Sequence, residues 1–433
     1  MSDYLETPIN DVLIDRESII LGYKIVREFS EKLCGTLQTE DYVIQSMPDV
    51  SPTRWHLAHT SWFFETFVLK SSSIDYKELD PVYNYLFNSY YVQVGERFSR
   101  PQRGLISRPG VQAVYDYRHY VDKYMLHLLE TVNDEELEKL APIIEIGLNH
   151  EQQHQELMLT DIKHVFSINP IYPSFSAREP ALQNGKVPEM KWVSFDEGIY
   201  NIGYNGNVFC YDNELPYHKK YLHAFSLGSR LITNGEYLKF IEDGGYKRPE
   251  LWLSDGWAAV EANKWEAPFY WLIIKGERHI FTLNGLVKLN MNEPVCHVSL
   301  YEADAYARWA GARLPLEEEW EAAANGLIVD GNFVEDEYFH PAGLDADAVD
   351  SGLQQMYGDV WEWTGSPYIG YPGYKPPAGA IGEYNGKFMS GQMVLRGGSC
   401  ATSRTHIRKT YRNFFPPSAR WQFMGIRLAK HTD

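Results

Sequence analysis

In Asn149-His-Glu-Gln-Gln-His-Gln-Glu156 two imidazoles stand four residues apart. A helix turns about 100° per residue, so His150 and His154 share one face roughly 6 Å apart along the axis, which suits two ligands of one metal ion. Further ligands must come from a facing helix. Trp55-His-Leu-Ala-His59 offers two imidazoles three residues apart. His59 is the choice, because Trp62, Phe63 and Leu69 fall on its inward side; the pattern alone leaves His56 open. Three imidazoles are costly to bury without a common ligand. Their spacing does not select the metal.

The same residues spell HExxH, the zinc-protease signature in which Glu151 would be the general base. The surroundings disagree with it. The long form of that motif continues to a glycine and a third histidine, whereas Gln155-Glu156 are followed by Leu157 and no glycine. The form with a downstream glutamate would have to use Glu179, in a proline-rich stretch. Glu151 is therefore expected to be structural, as an acceptor for a ligand imidazole.

A bundle is the element that can present these residues. Apolar residues recur at three and four over 17–33, 55–69, 111–131 and 135–166. Pro142 interrupts the last run, which predicts a short helix over 135–141 and a long one from residue 142. Residues 70–110 are too rich in Pro, Gly and Ser for one helix and form a long crossover. Crossovers of that length are usually functional, so its Tyr and Arg residues are site candidates. The expected organisation is a bundle over 1–168, a proline-punctuated linker over 169–190, and a second domain over 191–433. That second domain reads as short strands and long loops, with helices expected over 233–242, 300–310 and 315–324.

The 433 residues, 44% hydrophobic and 23% charged, can bury a large core in two or three domains. A formal charge of −18 repels phosphate backbones and anionic lipid, so neither nucleic acid nor membrane is an expected partner. No apolar run reaches the roughly 18 residues of a membrane span, and the start lacks the regions of a secretory signal. A cytoplasmic location is expected. Cys34, Cys210, Cys296 and Cys400 lie far apart without CxxC, as reduced and mostly buried thiols would.

Trp55-His-Leu-Ala-His59 with Thr-Ser-Trp-Phe-Phe-Glu65, Asn88-Ser-Tyr-Tyr91, Arg100-Pro-Gln-Arg-Gly104 and His150-Glu-Gln-Gln-His154 together resemble the ergothioneine-biosynthesis sulfoxide synthases, the EgtB family. Gly358-Asp-Val-Trp-Glu-Trp-Thr364, Leu395-Arg-Gly-Gly-Ser399 and Gly425-Ile-Arg-Leu-Ala429 resemble the formylglycine-generating, sulfatase-modifying domain. The resemblance implies an α+β protein: a DinB-like four-helix bundle followed by a C-type-lectin-like domain, with the active site at their junction. It implies a non-haem Fe(II) held by His59, His150 and His154, and coupling of hercynine (Nα-trimethylhistidine) with a thiol and O2 to a sulfoxide.

By the same resemblance, Tyr90 and Tyr91 match the paired tyrosines of members that use free cysteine, at least one being the proton donor. Arg100 and Arg103 are expected to hold the thiol substrate's carboxylate. Gln153 and Asn413 are expected to face hercynine, with Phe414, Phe415 and Trp421 around its quaternary ammonium. Members that use γ-glutamylcysteine carry an acidic residue just after the Asn, where this chain has Phe414-Phe415; cysteine is therefore the expected thiol. Cys400 lacks the second cysteine of the copper-binding formylglycine-generating enzymes, which leaves the lectin-like domain as a substrate-binding wall. Residues after 430 are too few for the methyltransferase that ovothiol synthases usually append. The alternatives are a related synthase for γ-glutamylcysteine or a selenium nucleophile, the zinc protease, and a non-catalytic lectin-like binding module.

Overall fold

The computed structural model describes residues 15–178, 187–344 and 352–432. The chain divides into two compact units. One comprises residues up to Asn169 with Gly206–Tyr211 and Pro376–Tyr384; the other comprises Pro170–Asn205, Asp212–Lys375 and Asn385–Asp433. Among the described residues no helix is long and apolar enough to cross a membrane.

The first unit is a helix bundle of α1 (Arg16–Cys34), α2 (Thr53–Phe67), the short α3 (Tyr83–Phe87), α4 (Val111–Thr131) and α5 (Asp134–Ser167). The side chains of Asp15 and Asn133 cap α1 and α5 by accepting the Ser18 and Glu136 N–H groups, both at 3.0 Å. Every residue of α2 from Thr53 to Glu65 is buried, so this helix runs through the core, packed on α4 and α5. Gly147 permits the close crossing of α2 and α5: a Cβ there would lie 2.5 Å from the Phe64 ring. The expected break at Pro142 is absent, and α5 continues through it. Leu137, Leu140 and Ile144 carry one buried stripe across the proline, while Glu138, whose carbonyl loses its helical donor, is solvent-exposed. The crossover contains α3 and tight turns at Val92–Val94 and Arg100–Leu105.

The second unit is built on small sheets. Trp192–Phe195, Phe225–Gly228 and Ala429–His431 form an antiparallel sheet whose central strand is fully buried. Asn413–Phe415, Met393–Arg396, Trp361–Pro367 and Met424–Gly425 form another, in that order. Of the helices α6 (Asn234–Glu242), α7 (Ser254–Asn263), α8 (Leu300–Trp309) and α9 (Glu317–Ala323), α8 and α9 pack on the strand Trp361–Pro367, and α6 and α7 pack on α8. Helices α6 and α8 start in capping boxes, Thr233 with Glu236 and Ser299 with Glu302. Helix α7 was not anticipated because it buries only Gly256 and Val260, too few for a helical period.

The sequence motifs of this unit serve its frame. Arg396 pairs with Glu317 and Glu321 at 2.9 and 3.0 Å, and Arg427 with Glu362 at 2.8 Å, all buried. Gly397 follows at φ 95°, and a side chain there would lie 2.6 Å from the Met356 carbonyl. Of the linker, residues 171–178 are bonded to this unit, Phe175 and Ser176 donating to the Leu283 carbonyl, whereas 179–186 lie outside the described residues. All four cysteines are thiols rather than disulfides, Cys210 half-buried and the others buried.

Candidate metal centre

Helix α2 delivers His59 and α5 delivers His150 and His154 to one buried point, where one ring nitrogen from each lies within 4.8 Å of the others. The ring centroids are 4.5–4.9 Å apart. Trp55 and Trp62 stack on either side of the His59 ring, at 4.5 and 5.4 Å, and Phe63 lies 4.9 Å from His150. Burial lowers the His150 pKa to about 3; burial and the neighbouring imidazoles hold His59 and His154 well below the ordinary histidine value. Neutral rings are the ligating form.

The polar atoms fit a metal. His59 donates through Nδ1 to the Phe87 carbonyl at 2.5 Å, which leaves its Nε2 buried and without a hydrogen-bond partner. Both ring nitrogens of His150 are buried and, among the described residues, unpartnered as well. Orphaned lone pairs in such a place are costly unless a cation takes them. His154 Nδ1 lies 2.8 Å from Nδ1 of His56, whose Nε2 lies 3.0 Å from Asp161 Oδ2. Thus His56, the alternative left open by the sequence, is seated behind His154 on this contact.

Glu151 faces elsewhere. Its carboxylate accepts from Arg27 at 2.9 Å, Arg118 at 2.6 Å and Ser30 at 2.6 Å. Burial would raise its pKa, but Arg118 and Arg27 outweigh that and hold it down to about 2. It is structural as expected, but the expectation that it accepts from a ligand imidazole is corrected: arginines and a serine hold it. A carboxylate so engaged is not poised as a protease base.

The crossover tyrosines sit beside this group. The Asn88 side chain accepts from Tyr91 N and donates to the Tyr91 and Gly95 carbonyls, closing a tight turn. Tyr90 and Tyr91 stack at 4.6 Å. Tyr91 is fully buried against Trp62, Phe63 and Phe67. Burial, then the adjacent Tyr90 phenol, raises its pKa well above the ordinary tyrosine value, so the hydroxyl keeps its proton.

The structure separates the two arginines. Arg103 is 4% exposed, and its Cζ lies over Trp55, 3.2 Å from the ring centroid. It donates to the Ser51 and Ser89 hydroxyls at 2.9 and 3.2 Å, its Nε is unpartnered, and no carboxylate among the described residues pairs with it. Arg100 is exposed and bonded to the Asp49 carbonyl at 2.6 Å.

Sequence reading missed Tyr384. This buried ring lies 5.7 Å from His150, 6.2 Å from Tyr90 and 5.3 Å from Tyr211, and its hydroxyl donates to Gln153 Oε1. Glu383 beside it accepts from the Val92 and Gln93 N–H groups at 3.0 and 2.9 Å, which fixes the chain just after the tyrosine pair. In the second unit, Phe414 stacks on Tyr368 at 4.0 Å, Phe415 meets Trp421 edge-on at 5.9 Å, and the half-buried Asn413 accepts from its neighbour's N–H.

Two family models match successive parts of the chain. The DinB superfamily matches residues 23–158, and the sulfatase-modifying factor enzyme 1-like domain matches 176–351 and 338–432. Hercynine oxygenase from Mycobacterium tuberculosis is 31% identical over 88% of this chain and 91% of its own. The chain belongs to the hercynine oxygenase family. The hercynine oxygenase of Mycolicibacterium smegmatis is 30% identical over 96% of this chain and 99% of its own. Ergothioneine biosynthesis protein 1 of Schizosaccharomyces pombe is 29% identical over 52% of this chain and 28% of its own. Like the hercynine oxygenase family it belongs to, the chain is an oxidoreductase, and the buried three-histidine triad is its metal-binding site.

Proposed function

We propose that the protein is an Fe(II)-dependent sulfoxide synthase that joins hercynine to cysteine with O2, giving hercynylcysteine sulfoxide. The observation that carries the reading is the buried three-histidine group in a chain similar over most of its length to proteins named hercynine oxygenase. In the overall reaction an imidazole C–H and a thiol S–H are lost and a C–S bond forms. One oxygen atom goes to sulfur and the other leaves as water, so O2 accepts four electrons. Iron, held by His59, His150 and His154, would supply open positions for both substrates and O2 and the one-electron chemistry that dioxygen requires.

The chain's own residues bind, orient and protonate. Arg103 is assigned to the cysteine carboxylate, because a buried guanidinium without a carboxylate partner is a ready anion site. Arg100, the outer arginine, has the weaker claim because it is exposed. Tyr91, with Tyr90 stacked on it, is assigned as the proton donor that favours C–S bond formation over oxidation of the thiol to a sulfinate. Gln153, its amide oriented by the Tyr384 hydroxyl, is assigned to hercynine. For Asn413, Phe414, Phe415 and Trp421 of the second unit, the resemblance alone supports a part in hercynine binding. The absence of an acidic residue at Phe414-Phe415 favours cysteine over γ-glutamylcysteine.

The test is anaerobic incubation of the protein with Fe(II), hercynine and either cysteine or γ-glutamylcysteine, followed by oxygen and mass spectrometry. The expected product is the cysteine sulfoxide adduct, with little from γ-glutamylcysteine. Absence of any C–S coupled product contradicts the reading.

A further inference from the structure

We infer that His56 and Asp161 are positioning residues for the metal ligand His154, through a two-step hydrogen-bonded relay. The inference rests on the three-histidine reading and adds to it two residues from different helices. Asp161 on α5 is 4% exposed, and its Oδ2 accepts from the Ser51 N–H at 2.8 Å and from His56 Nε2 at 3.0 Å. A carboxylate that accepts here assigns the proton to His56 Nε2. An imidazole that donates through Nε2 accepts through Nδ1, so His154 donates from its own Nδ1 across 2.8 Å. The lone pair of His154 is thereby confined to Nε2. The relay fixes the tautomer and the ring plane together.

The three ligands are supported unequally. Among the described residues, His59 has a backbone carbonyl at 2.5 Å behind it, and His150 has no hydrogen-bond partner at either nitrogen. Among the described residues, the His154 support alone ends on a carboxylate, an arrangement that raises the basicity of a ligand imidazole. Ser51 extends the arrangement: its N–H holds Asp161 while its hydroxyl accepts from Arg103 at 2.9 Å. One residue at the entrance to α2 thus ties the support of a metal ligand to the arginine assigned to the substrate carboxylate.

The experiment uses Co(II) under anaerobic conditions, in competition with a chelator, and records the cobalt d–d spectrum. Near-ultraviolet circular dichroism of the metal-free protein reports the fold. His56→Leu is expected to bind Co(II) about 10- to 100-fold more weakly, with an altered spectrum and an unchanged fold. His56→Gln should recover most of the loss, because the amide can donate to Asp161 and accept from His154; a role in packing alone predicts no such rescue. If His56→Leu does not fold, Asp161→Ala is read in the same way. A folded His56→Leu or Asp161→Ala protein with wild-type affinity and spectrum overturns the relay alone. Wild-type protein that takes up no Co(II) overturns the three-histidine reading beneath it.

Discussion

A guanidinium that is 4% exposed, set over an indole and bonded among the described residues to two hydroxyls has no carboxylate to compensate its charge, and burial and then Arg100 lower its pKa well below the ordinary arginine value. Such a group is paid for by what it binds. A charge-assisted contact of this kind contributes about 1.5–3 kcal/mol, or roughly 10- to 150-fold in affinity. Arg103→Leu should therefore raise the KM for cysteine by about one to two orders of magnitude and change kcat less. Steady-state kinetics over a cysteine series measures it, and an unchanged KM removes the assignment. The tyrosine pair is tested by product ratio. With Tyr90 and Tyr91 both changed to Phe, oxygen consumption should shift toward cysteine sulfinate; an unaltered ratio of sulfoxide to sulfinate refutes the donor role.

Among the helices, the buried network around Glu151 does the tying. Arg27 of α1 reaches Glu151 of α5 and, at 2.7 Å, Asp122 of α4, and Arg118 of α4 reaches the same glutamate. Breaking a buried pair by removing one partner costs about 3–5 kcal/mol, because the remaining charge stays buried. Glu151→Leu is expected to lower bundle stability by that order in a denaturant titration. A variant as stable as the parent would show that these arginines do not depend on it. The helices also show where a local rule fails. Pro142 is a helix breaker in isolation, yet the apolar stripe from Leu137 through Ile144 holds both sides of it to one core. Tertiary burial outweighs one missing hydrogen bond whose carbonyl belongs to an exposed turn.

Across the whole chain, the legible features were those with a short period. Histidines four apart on one helix and apolar residues at three and four are local, and each is visible in a window of a turn or two. Contacts made by distant loops carry no such period. Tyr384 meets Gln153 across 231 positions, and Glu383 meets Val92 across 291, from a segment whose own sequence is turn-like. No pattern in the chain announces that Gly206–Tyr211 and Pro376–Tyr384 cluster with the helices. His56 shows a different limit. Its place three residues before His59 was visible, but its place behind His154 depends on the rotation of α2 against α5, which spacing does not give.

The central claim is that His59, His150 and His154 hold one ferrous ion together. Anaerobic titration of metal-free protein with Fe(II), read against a chelating competitor, tests it directly when wild type is compared with His59→Ala. Wild type should bind one iron per chain, and the variant should lose tight binding while keeping its helical circular dichroism. A wild-type chain that takes up no iron, or a folded His59→Ala chain that binds as tightly, would contradict the account.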